Sequence, residues 1–458
     1  MRPFTGRVLV MLGTGSGEPR FGPNWFRPQP FFAMDVKGWR PNQPLAFQDQ
    51  FSFPRPLQEL TAGEYNVQAV MDFDFGAREI GAAPGNGYSS SVRMNLDPKT
   101  SGRIALKIDR LVSKRPFRES DSVKLFEMES KLLTDFHGTP TKLRAAVVLP
   151  KSFNDVPERK YPIIYEVPGF GGDHSEALFG GQSRTNVAGT EMLFIVLDPN
   201  CRTGHHVFAD SANNGPYGKA LTEEFIPALE KKFRALGNPG ARYVTGHSSG
   251  GWSSLWLQVA YPDFFGGCWS TAPDPIDFRD FQRINLYRPG TNMFKDEAGN
   301  DRPIARRGEQ PFIYYKPFSD MEVVMGHGGQ LGSFEAVFSP KGVDGKPRQL
   351  WDRKTGVIDL ETAKAWEPFD INLVLRRNWQ TLGPKLKGKL HIYMGGSDTF
   401  YLEGATKLVQ ATLKELGSDA VVEIFPGKDH STLMTDGAVP RRIKKEMAEQ
   451  FQKKQAAP

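Results

Sequence analysis

The sequence predicts an α/β protein with a mostly parallel sheet, preceded by a smaller β-rich domain. Before about residue 118, apolar and polar residues alternate with a period of two, as in strands that are buried on one face. After about residue 120, short continuous apolar runs alternate with helical patterns, as in parallel strands buried on both faces. We therefore predict two domains, 1–118 and 119–458.

The first domain is expected to be a small β-sandwich. Its strands are predicted from alternation over 65–73 and again over 104–108. Between them, residues 82–91 (AAPGNGYSSS) are rich in turn-forming residues, as expected for short strands in a sandwich. The charged stretch 113–122 is interpreted as the hinge to the second domain.

The second domain is expected to hold the parallel sheet. Apolar stripes over 221–236 and 405–413 predict helices that pack on it, and Pro227 predicts a kink in the first of them. More than a hundred residues separate the strand that ends near 271 from the one that starts at 390, so a cap-like insertion is predicted over about 277–386. The predicted strands are 145–149, 163–167, 192–197, 243–245 and 390–394.

Composition and charge exclude several classes of protein. The 458 residues include 58 Lys and Arg against 52 Asp and Glu, and because the positive charges are scattered we expect no nucleic-acid partner. Apolar runs are shorter than the roughly 18 residues of a membrane span, so a soluble protein without a membrane partner is expected. Cys201 and Cys268 stand apart without a CxxC pattern, which argues against a zinc ribbon or a disulfide scaffold.

A nucleophile motif lies in the middle of the second domain. Residues 246–250 (GHSSG) follow the predicted strand 243–245 and precede a segment that can form a helix. A serine on such a strand-turn-helix elbow has a strained backbone, and its flanking glycines avoid clashes with the strand and the helix. The motif therefore predicts that Ser248 is a catalytic nucleophile in an α/β-hydrolase fold.

A serine hydroxyl needs a base, and the base needs an acid that orients it. In α/β-hydrolases the three groups follow the chain order Ser, Asp or Glu, His. Asp398 stands on the loop after the strand 390–394, and His430 stands on the loop after the next strand. Order and position predict a triad of Ser248, Asp398 and His430, with Asp370 and Asp429 as competing acids.

A tetrahedral intermediate also needs two N–H donors, which form the oxyanion hole. The backbone amide of Ser249, directly after the nucleophile, is the expected first donor. The second should come from the glycine-rich loop after the strand 163–167, where Phe170 is our choice and Gly171 the next candidate. The alternative interpretation of this loop is a glycine-rich turn without a catalytic role.

Three other motifs are interpreted as having no catalytic role. Residues 13–17 (GTGSG) resemble a dinucleotide-binding turn, but Glu18 replaces the third glycine and prolines block the following helix. The stretch 327–329 (HGG) comes after the nucleophile in the chain, which is the wrong order for an oxyanion motif. His205 and His206 are adjacent, which suits one metal site poorly, so no metal and no cofactor are expected.

These motifs together resemble the esterase D-like family of α/β-hydrolases, which includes enterochelin-type, feruloyl and acetyl esterases. The resemblance covers about 125–275 and 385–440 and implies a serine esterase with the triad above. The chain departs from the family at two points. Pro168 stands where the family often has a His before the oxyanion glycine, and the insertion is long. The first domain resembles accessory β-domains of esterases that are commonly exported, which implies a periplasmic or secreted protein. The motifs are 167–172 (VPGFGG), 210–216 (DSANNGP), 224–227 (EFIP), 246–251 (GHSSGG) and the loops of Asp398 and His430.

The expected function is hydrolysis of a small-molecule carboxylic ester through an acyl-enzyme intermediate. A serine peptidase or an acyltransferase would use the same triad, and a non-catalytic binding protein would not need it. Trp252, Arg202 and Gly171 are candidate substrate contacts, together with aromatic residues of the insertion. The alternative for each of those aromatic residues is that it belongs to the insertion's own core.

Overall fold

The structure, a computed structural model, describes residues 3–73 and 76–456 and divides into two compact units. The smaller unit comprises Met1–Pro116, Cys201–Gly204 and Ile313–Ser333. The larger unit comprises Phe117–Asn200, His205–Phe312 and Phe334–Pro458. Two short segments of the predicted second domain therefore group with the N-terminal strands.

The smaller unit is built on one antiparallel sheet of seven strands, in the order β3-β2-β1-β4-β5-β7 with β6 also paired to β4. The alternation predicted over 65–73 is found in β4, which buries Tyr65 and Val67 in an apolar cluster with Leu12 and Phe32. A sandwich has two separate sheets, so the described strands differ from that prediction. The strands are β1 (Phe4–Gly13), β2 (Phe31–Trp39), β3 (Phe51–Phe53), β4 (Gly63–Asp72), β5 (Gly87–Ser89), β6 (Val92–Leu96) and β7 (Ile108–Leu111).

The larger unit contains a mixed sheet of eight strands, and the predicted α/β fold with a mostly parallel sheet is confirmed. The order is β15-β14-β13-β12-β10-β11-β9-β8. Strands β10 to β15 run parallel, and β9 is antiparallel to both of its neighbours. The strands are β8 (Val123–Glu129), β9 (Lys142–Val148), β10 (Ile163–Val167), β11 (Leu193–Leu197), β12 (Arg242–His247), β13 (Gly267–Thr271), β14 (Leu390–Gly395) and β15 (Val421–Phe425).

Helices and shorter elements complete the chain. None of the helices in the described ranges has both the length and the apolar character needed to cross a bilayer. The α-helices are α1 (Lys131–His137), α2 (Tyr217–Lys219), α3 (Ile226–Lys232), α4 (Ser249–Ala260), α5 (Tyr315–Met325), α6 (Gln330–Phe338), α7 (Leu360–Ala365), α8 (Ile371–Leu386), α9 (Glu403–Glu415), α10 (Thr432–Thr435) and α11 (Ala438–Ala456). The 3₁₀ helices are Pro19–Phe21, Leu57–Glu59, Lys151–Phe153, His174–Leu178, Gly181–Arg184, Pro239–Ala241, Phe278–Asp280 and Glu367–Phe369. Short strands are Asn186–Val187, Thr190–Glu191, Asn200–Cys201, Gly204–His205, Asp210–Ser211, Gly215–Pro216, Pro303–Arg307 and Gln310–Tyr314.

The helix that was expected to kink at Pro227 changes its winding instead. A π-helical segment, Ala220–Phe225, lies between α2 and α3. Pro227 then stands in the first turn of α3, where a missing backbone N–H costs little. The proline is therefore accommodated because a new turn of α-helix begins next to it.

The parallel strands place the motifs of the larger unit at one edge of its sheet. The carboxyl ends of parallel strands face the same edge, and ligand sites of α/β sheets lie there. The loops after β10, β12, β13, β14 and β15 all leave the sheet at this edge. These five loops carry the predicted oxyanion loop, the elbow and the predicted acid and base.

Candidate active site

The elbow at Ser248 has the strained backbone that its sequence predicts. β12 ends at His247 and α4 begins at Ser249, so Ser248 alone makes the turn, with φ +59° and ψ −125°. A Cβ at Gly246 would lie 2.2 Å from the carbonyl oxygen of Gly250, and one at Gly250 would lie 1.9 Å from that of Val167. Both flanking positions therefore require glycine, and the strain is confined to the serine between them.

His430 and Asp398 form a buried pair on the loops after β15 and β14. The His430 Nδ1 lies 2.7 Å from the Asp398 Oδ2, and the two residues are 8% and 0% exposed. The other carboxylate oxygen accepts the Phe400 N–H at 2.8 Å, which fixes the orientation of the side chain. Because a carboxylate only accepts, the His430 Nδ1 carries the hydrogen and its Nε2 is the atom that can take a proton.

The electrostatics of the pair favour a protonated imidazole. Burial lowers the pKa of His430, but the charge and the hydrogen bond of Asp398 outweigh it, with smaller contributions from Asp274 and Asp429. The pKa of His430 is therefore raised above its ordinary value. An imidazolium formed during a reaction would be stabilised at this position.

The two competing acids are engaged elsewhere. Asp370 caps α8 and accepts hydrogen bonds from the Phe278 N–H and the Tyr287 hydroxyl, each at 2.9 Å. Asp429 accepts from the backbone N–H and the hydroxyl of Thr432. Each carboxylate is thus used to hold a turn or a helix start. Among the three predicted acids, Asp398 is the one that contacts His430.

His247, directly before Ser248, joins the elbow to His430. Its ring centroid lies 4.5 Å from that of His430. Burial, followed by the nearby His430, lowers the pKa of His247 to about 3, so this ring is neutral in the working range of a hydrolase. Its Nδ1 lies 3.2 Å from the Thr271 hydroxyl. His247 therefore packs against His430 without competing for the Asp398 carboxylate.

Asp274 is a second buried carboxylate at the elbow, and sequence reasoning missed it. It follows β13 and accepts a hydrogen bond from the Ser249 hydroxyl. Its own backbone N–H donates to the Ser248 carbonyl oxygen at 3.3 Å. Burial raises the pKa of Asp274 to about 6. Its place on a loop directly after a strand of the parallel sheet was the signal that could have identified it.

The predicted oxyanion loop passes beside the nucleophile. A Cβ at Gly169 would lie 3.4 Å from the Ser248 Cβ. The loop closes as a turn in which the Gly172 N–H donates to the Gly169 carbonyl oxygen at 3.0 Å, with φ +92° at Gly171. Because C=O and N–H of a trans peptide point in opposite directions, the Phe170 N–H points out of this turn. Ser249 supplies a first-turn amide of α4.

The structure separates the three predicted substrate contacts. Trp252 is 1% exposed and stacks on Trp256 at 5.4 Å between centroids, so the prediction that it contacts substrate is wrong because its indole is in the core. Gly171 is exposed on the turn described above. Arg202 is exposed and belongs to the smaller unit, where its carbonyl oxygen lies 3.0 Å from the Nδ1 of His327.

Aromatic residues of the insertion within the larger unit pack on one another and on α4. Trp366 packs edge-on against Phe338 at 5.2 Å and against Phe278 at 5.8 Å. Phe338 also contacts Trp252 of α4 at 5.1 Å. These side chains are buried, so their packing supports a structural role in a core that the insertion shares with α4.

The insertion also reaches the loop of the predicted acid. The Nε of Arg306 donates to the Asp398 carbonyl oxygen at 3.0 Å, and its guanidinium pairs with Glu403. The side-chain amide of Gln282 donates to the Phe400 carbonyl oxygen at 3.0 Å. Two side chains from the insertion therefore hold the backbone on both sides of Thr399.

Over residues 3–73 and 76–456, no group of three or more His, Cys, Asp or Glu side chains is arranged to hold a metal ion. The residues described above around the elbow are two histidines, two carboxylates and backbone amides. This set can accept a proton from a hydroxyl, stabilise the resulting imidazolium and donate to an oxyanion.

Comparison with known proteins finds one matching family and several solved structures of low sequence identity. The family described as "Putative esterase" matches residues 137–432. A solved ferulic acid esterase is 14% identical, with 72% of this chain and 99% of that chain covered and a TM-score of 0.44. An S-formylglutathione hydrolase from Agrobacterium tumefaciens is 14% identical (71% and 94% covered, TM-score 0.44). The serine hydrolase FphF of Staphylococcus aureus is 15% identical (72% and 98% covered, TM-score 0.42). No curated protein sequence matches the chain.

Proposed function

The chain belongs to the esterase family that matches residues 137–432 and is a carboxylic ester hydrolase, and we propose that it works through a Ser248, His430 and Asp398 triad with an acyl-enzyme intermediate. The observation that carries this proposal is the 2.7 Å contact between the buried His430 Nδ1 and the Asp398 Oδ2. This contact leaves the Nε2 of His430 as the atom that can accept a proton. The elbow next to it places its strained backbone at Ser248.

The first half of the reaction acylates Ser248. The Nε2 of His430 takes the Ser248 hydroxyl proton while Oγ attacks the ester carbonyl carbon. The backbone amides of Phe170 and Ser249 donate to the oxyanion of the tetrahedral intermediate. When that intermediate collapses, the C–O bond to the alcohol breaks and the imidazolium gives its proton to the leaving alkoxide. Asp398 stabilises the imidazolium throughout.

The second half returns the free enzyme. His430 takes a proton from water, the hydroxide attacks the acyl carbon, and the same two amides hold the second oxyanion. Collapse breaks the bond to Ser248 Oγ, which recovers the proton from His430, and the carboxylic acid leaves. A peptidase or an acyltransferase would differ only in the leaving group or in the acceptor that replaces water.

Trapping the acyl-enzyme tests this proposal. When a reaction with an ester substrate is quenched with acid during turnover, mass spectrometry should find the mass of the acyl group on the peptide that contains Ser248. Turnover on p-nitrophenyl acetate, compared with peptide substrates and with added alcohol acceptors, separates an esterase from a peptidase and an acyltransferase. Ester turnover with acyl mass on another residue would contradict the triad, and no turnover on any ester would favour a binding protein.

The domain boundary and the cap are also proposals. We propose that residues 1–118 form an accessory domain and that the insertion over 277–386 acts as a cap that supports the acid loop. The hydrogen bonds of Arg306 and Gln282 to that loop support the second part. The packed aromatic residues of the insertion give it the rigidity that such support requires.

The dependence of activity on pH is a further expected result. Only neutral imidazole accepts the serine proton, and the raised pKa of His430 extends its protonated form to higher pH. We therefore expect kcat/KM to rise with pH through a midpoint above 6.5, the ordinary histidine value. Asp274→Asn removes one of the charges that raise this pKa, so its midpoint should move to lower pH.

Initial rates at low substrate concentration between about pH 5 and 9 measure both midpoints. Asp344→Asn, an exposed carboxylate of the insertion, is a matched control whose midpoint should equal that of the wild type. A wild-type profile that is flat across this range would contradict the role of His430. An unchanged midpoint in Asp274→Asn would contradict the effect of the Asp274 charge on the pKa of His430, but not the role of His430 as the base.

A further inference from the structure

Two adjacent buried histidines of the larger unit have the same local hydrogen bonds. His205 and His206 are each 1% exposed. The His205 Nδ1 accepts the Val207 N–H at 3.0 Å, and the His206 Nδ1 accepts the Phe208 N–H at 3.1 Å. An Nδ1 that accepts carries no hydrogen, so in both rings Nε2 carries the hydrogen and is the donor.

The two histidines bond to the backbone at the ends of two neighbouring strands. The His205 Nε2 lies 2.9 Å from the carbonyl oxygen of Pro168, the first residue after β10. His206 bonds the backbone of Asp198, the first residue after β11. β10 and β11 are parallel neighbours in the sheet. The histidine pair thus ties both strand ends to one segment, but His205 alone of the pair binds the oxyanion loop.

A second side chain binds the other end of that loop. The Nδ2 of Asn200 donates to the Gly172 carbonyl oxygen at 2.9 Å. The Gly169 carbonyl oxygen is already used within the turn by the Gly172 N–H. The carbonyl groups of the first two residues and of the last residue of the loop are therefore held. Because each peptide is planar, holding the carbonyls also sets the directions of the following N–H groups.

The segment that carries His205 is itself strained and fixed. Val207 and Phe208 have φ values of +47° and +51°, a conformation that costs energy for side chains with a Cβ and most of all for a β-branched one. The Ser253 hydroxyl of α4 donates to the Val207 carbonyl oxygen at 2.6 Å. Strain of this kind persists where surrounding bonds over-determine the backbone. Here those bonds connect the nucleophile helix to the segment that holds the oxyanion loop.

We propose that His205, assisted by Asn200, is a positioning residue of the oxyanion hole: its Nε2–H fixes the Pro168–Gly169 peptide at the start of the loop, and the turn that begins at Gly169 then presents the Phe170 N–H to the oxyanion beside Ser248. This inference rests on the proposed function and adds to it a residue that touches neither substrate nor nucleophile. His206, with the same ring, burial and local bonds, holds a strand end outside the loop and is the internal control.

The test compares matched substitutions at the two histidines. A lost or displaced oxyanion donor costs roughly 10²- to 10³-fold in kcat, so we expect His205→Leu to lower kcat by at least about tenfold with little change in KM. His205→Gln keeps an N–H donor and should recover part of that loss. His206→Leu should lower kcat by less than about threefold when compared at equal folded fraction.

Two further readouts separate positioning from a general loss of structure. A trifluoromethyl ketone or boronic acid inhibitor, which forms a tetrahedral adduct on the serine, should bind His205→Leu more weakly in proportion to the lost kcat/KM. The pH midpoint of kcat/KM should stay at the wild-type value, because His205 takes no proton in the reaction. If the leucine variant does not fold, Asn200→Ala gives the same comparison at the other end of the loop.

The outcomes distinguish this inference from the proposed function. Equal kcat losses in His205→Leu and His206→Leu, or full inhibitor affinity in His205→Leu, would overturn the positioning role while the triad stands. A wild-type enzyme that never forms an acyl-enzyme at Ser248 would overturn the proposed function itself.

Discussion

Ser248→Ala should abolish labelling by a fluorophosphonate probe and lower kcat by about 10³-fold or more, with the fold intact. The probe forms a covalent bond only with an activated serine, and Ser248 is half-buried on an elbow whose Gly246 and Gly250 leave no room for a Cβ. Labelling is measured by intact mass or gel fluorescence, and the fold by circular dichroism and Tm.

Ser254→Ala is the matched control for that substitution. It removes another serine hydroxyl from the same region of α4, where Ser254 Oγ donates to the Gly251 carbonyl oxygen. Its labelling and kcat should stay near the wild-type values at equal folded fraction. Persistent labelling of Ser248→Ala would show that the nucleophile lies elsewhere.

His430→Ala should be nearly as damaging as the serine substitution, because triad members act as a unit. Asp398→Asn should cost roughly 10²- to 10⁴-fold, because an amide at the Asp398 Oδ2 position can stabilise the wrong tautomer of His430. The measurement is kcat/KM on p-nitrophenyl acetate across the series, with Tm recorded for each variant.

Asp370→Asn and Asp429→Asn serve as comparisons for the acid. Each loses hydrogen bonds that hold a helix start, so Tm should fall while kcat per folded molecule stays within a few-fold of the wild type. If either were more damaging to kcat than Asp398→Asn, the acid would be misassigned. The sequence leaves three aspartates as candidates for the acid, and the contact of Asp398 with His430 is the observation that favours Asp398.

Much of the larger unit could be predicted because its signals are local. The run 163–167 coincides with β10, because four of its five side chains are buried and apolar or aromatic, as expected for a strand that is covered on both faces. The elbow glycines are required by contacts within a few residues and with the neighbouring strand. The order of acid and base follows from strand ends that share one edge of a parallel sheet.

What the sequence did not reveal depends on contacts between distant segments. The role of Asp274 requires knowing that β13 lies beside β12, and that of His205 requires its bond to Pro168, 37 residues away. Trp252 was misjudged because the side of α4 that carries it is covered by Phe338 of the insertion. Alternation over the N-terminal strands identified strands but not how many sheets they form.

The neighbouring strands β13 and β14 have a consequence for synthesis of the chain. They pair directly, although Thr271 ends the first and Leu390 begins the second. At about 5–20 residues per second, a ribosome needs roughly 6 to 24 s to make the intervening residues. Throughout that interval one edge of β13 lacks its partner strand, and an unpaired edge is a template for aggregation. We therefore expect a nascent chain paused within the insertion to present this strand edge to chaperones.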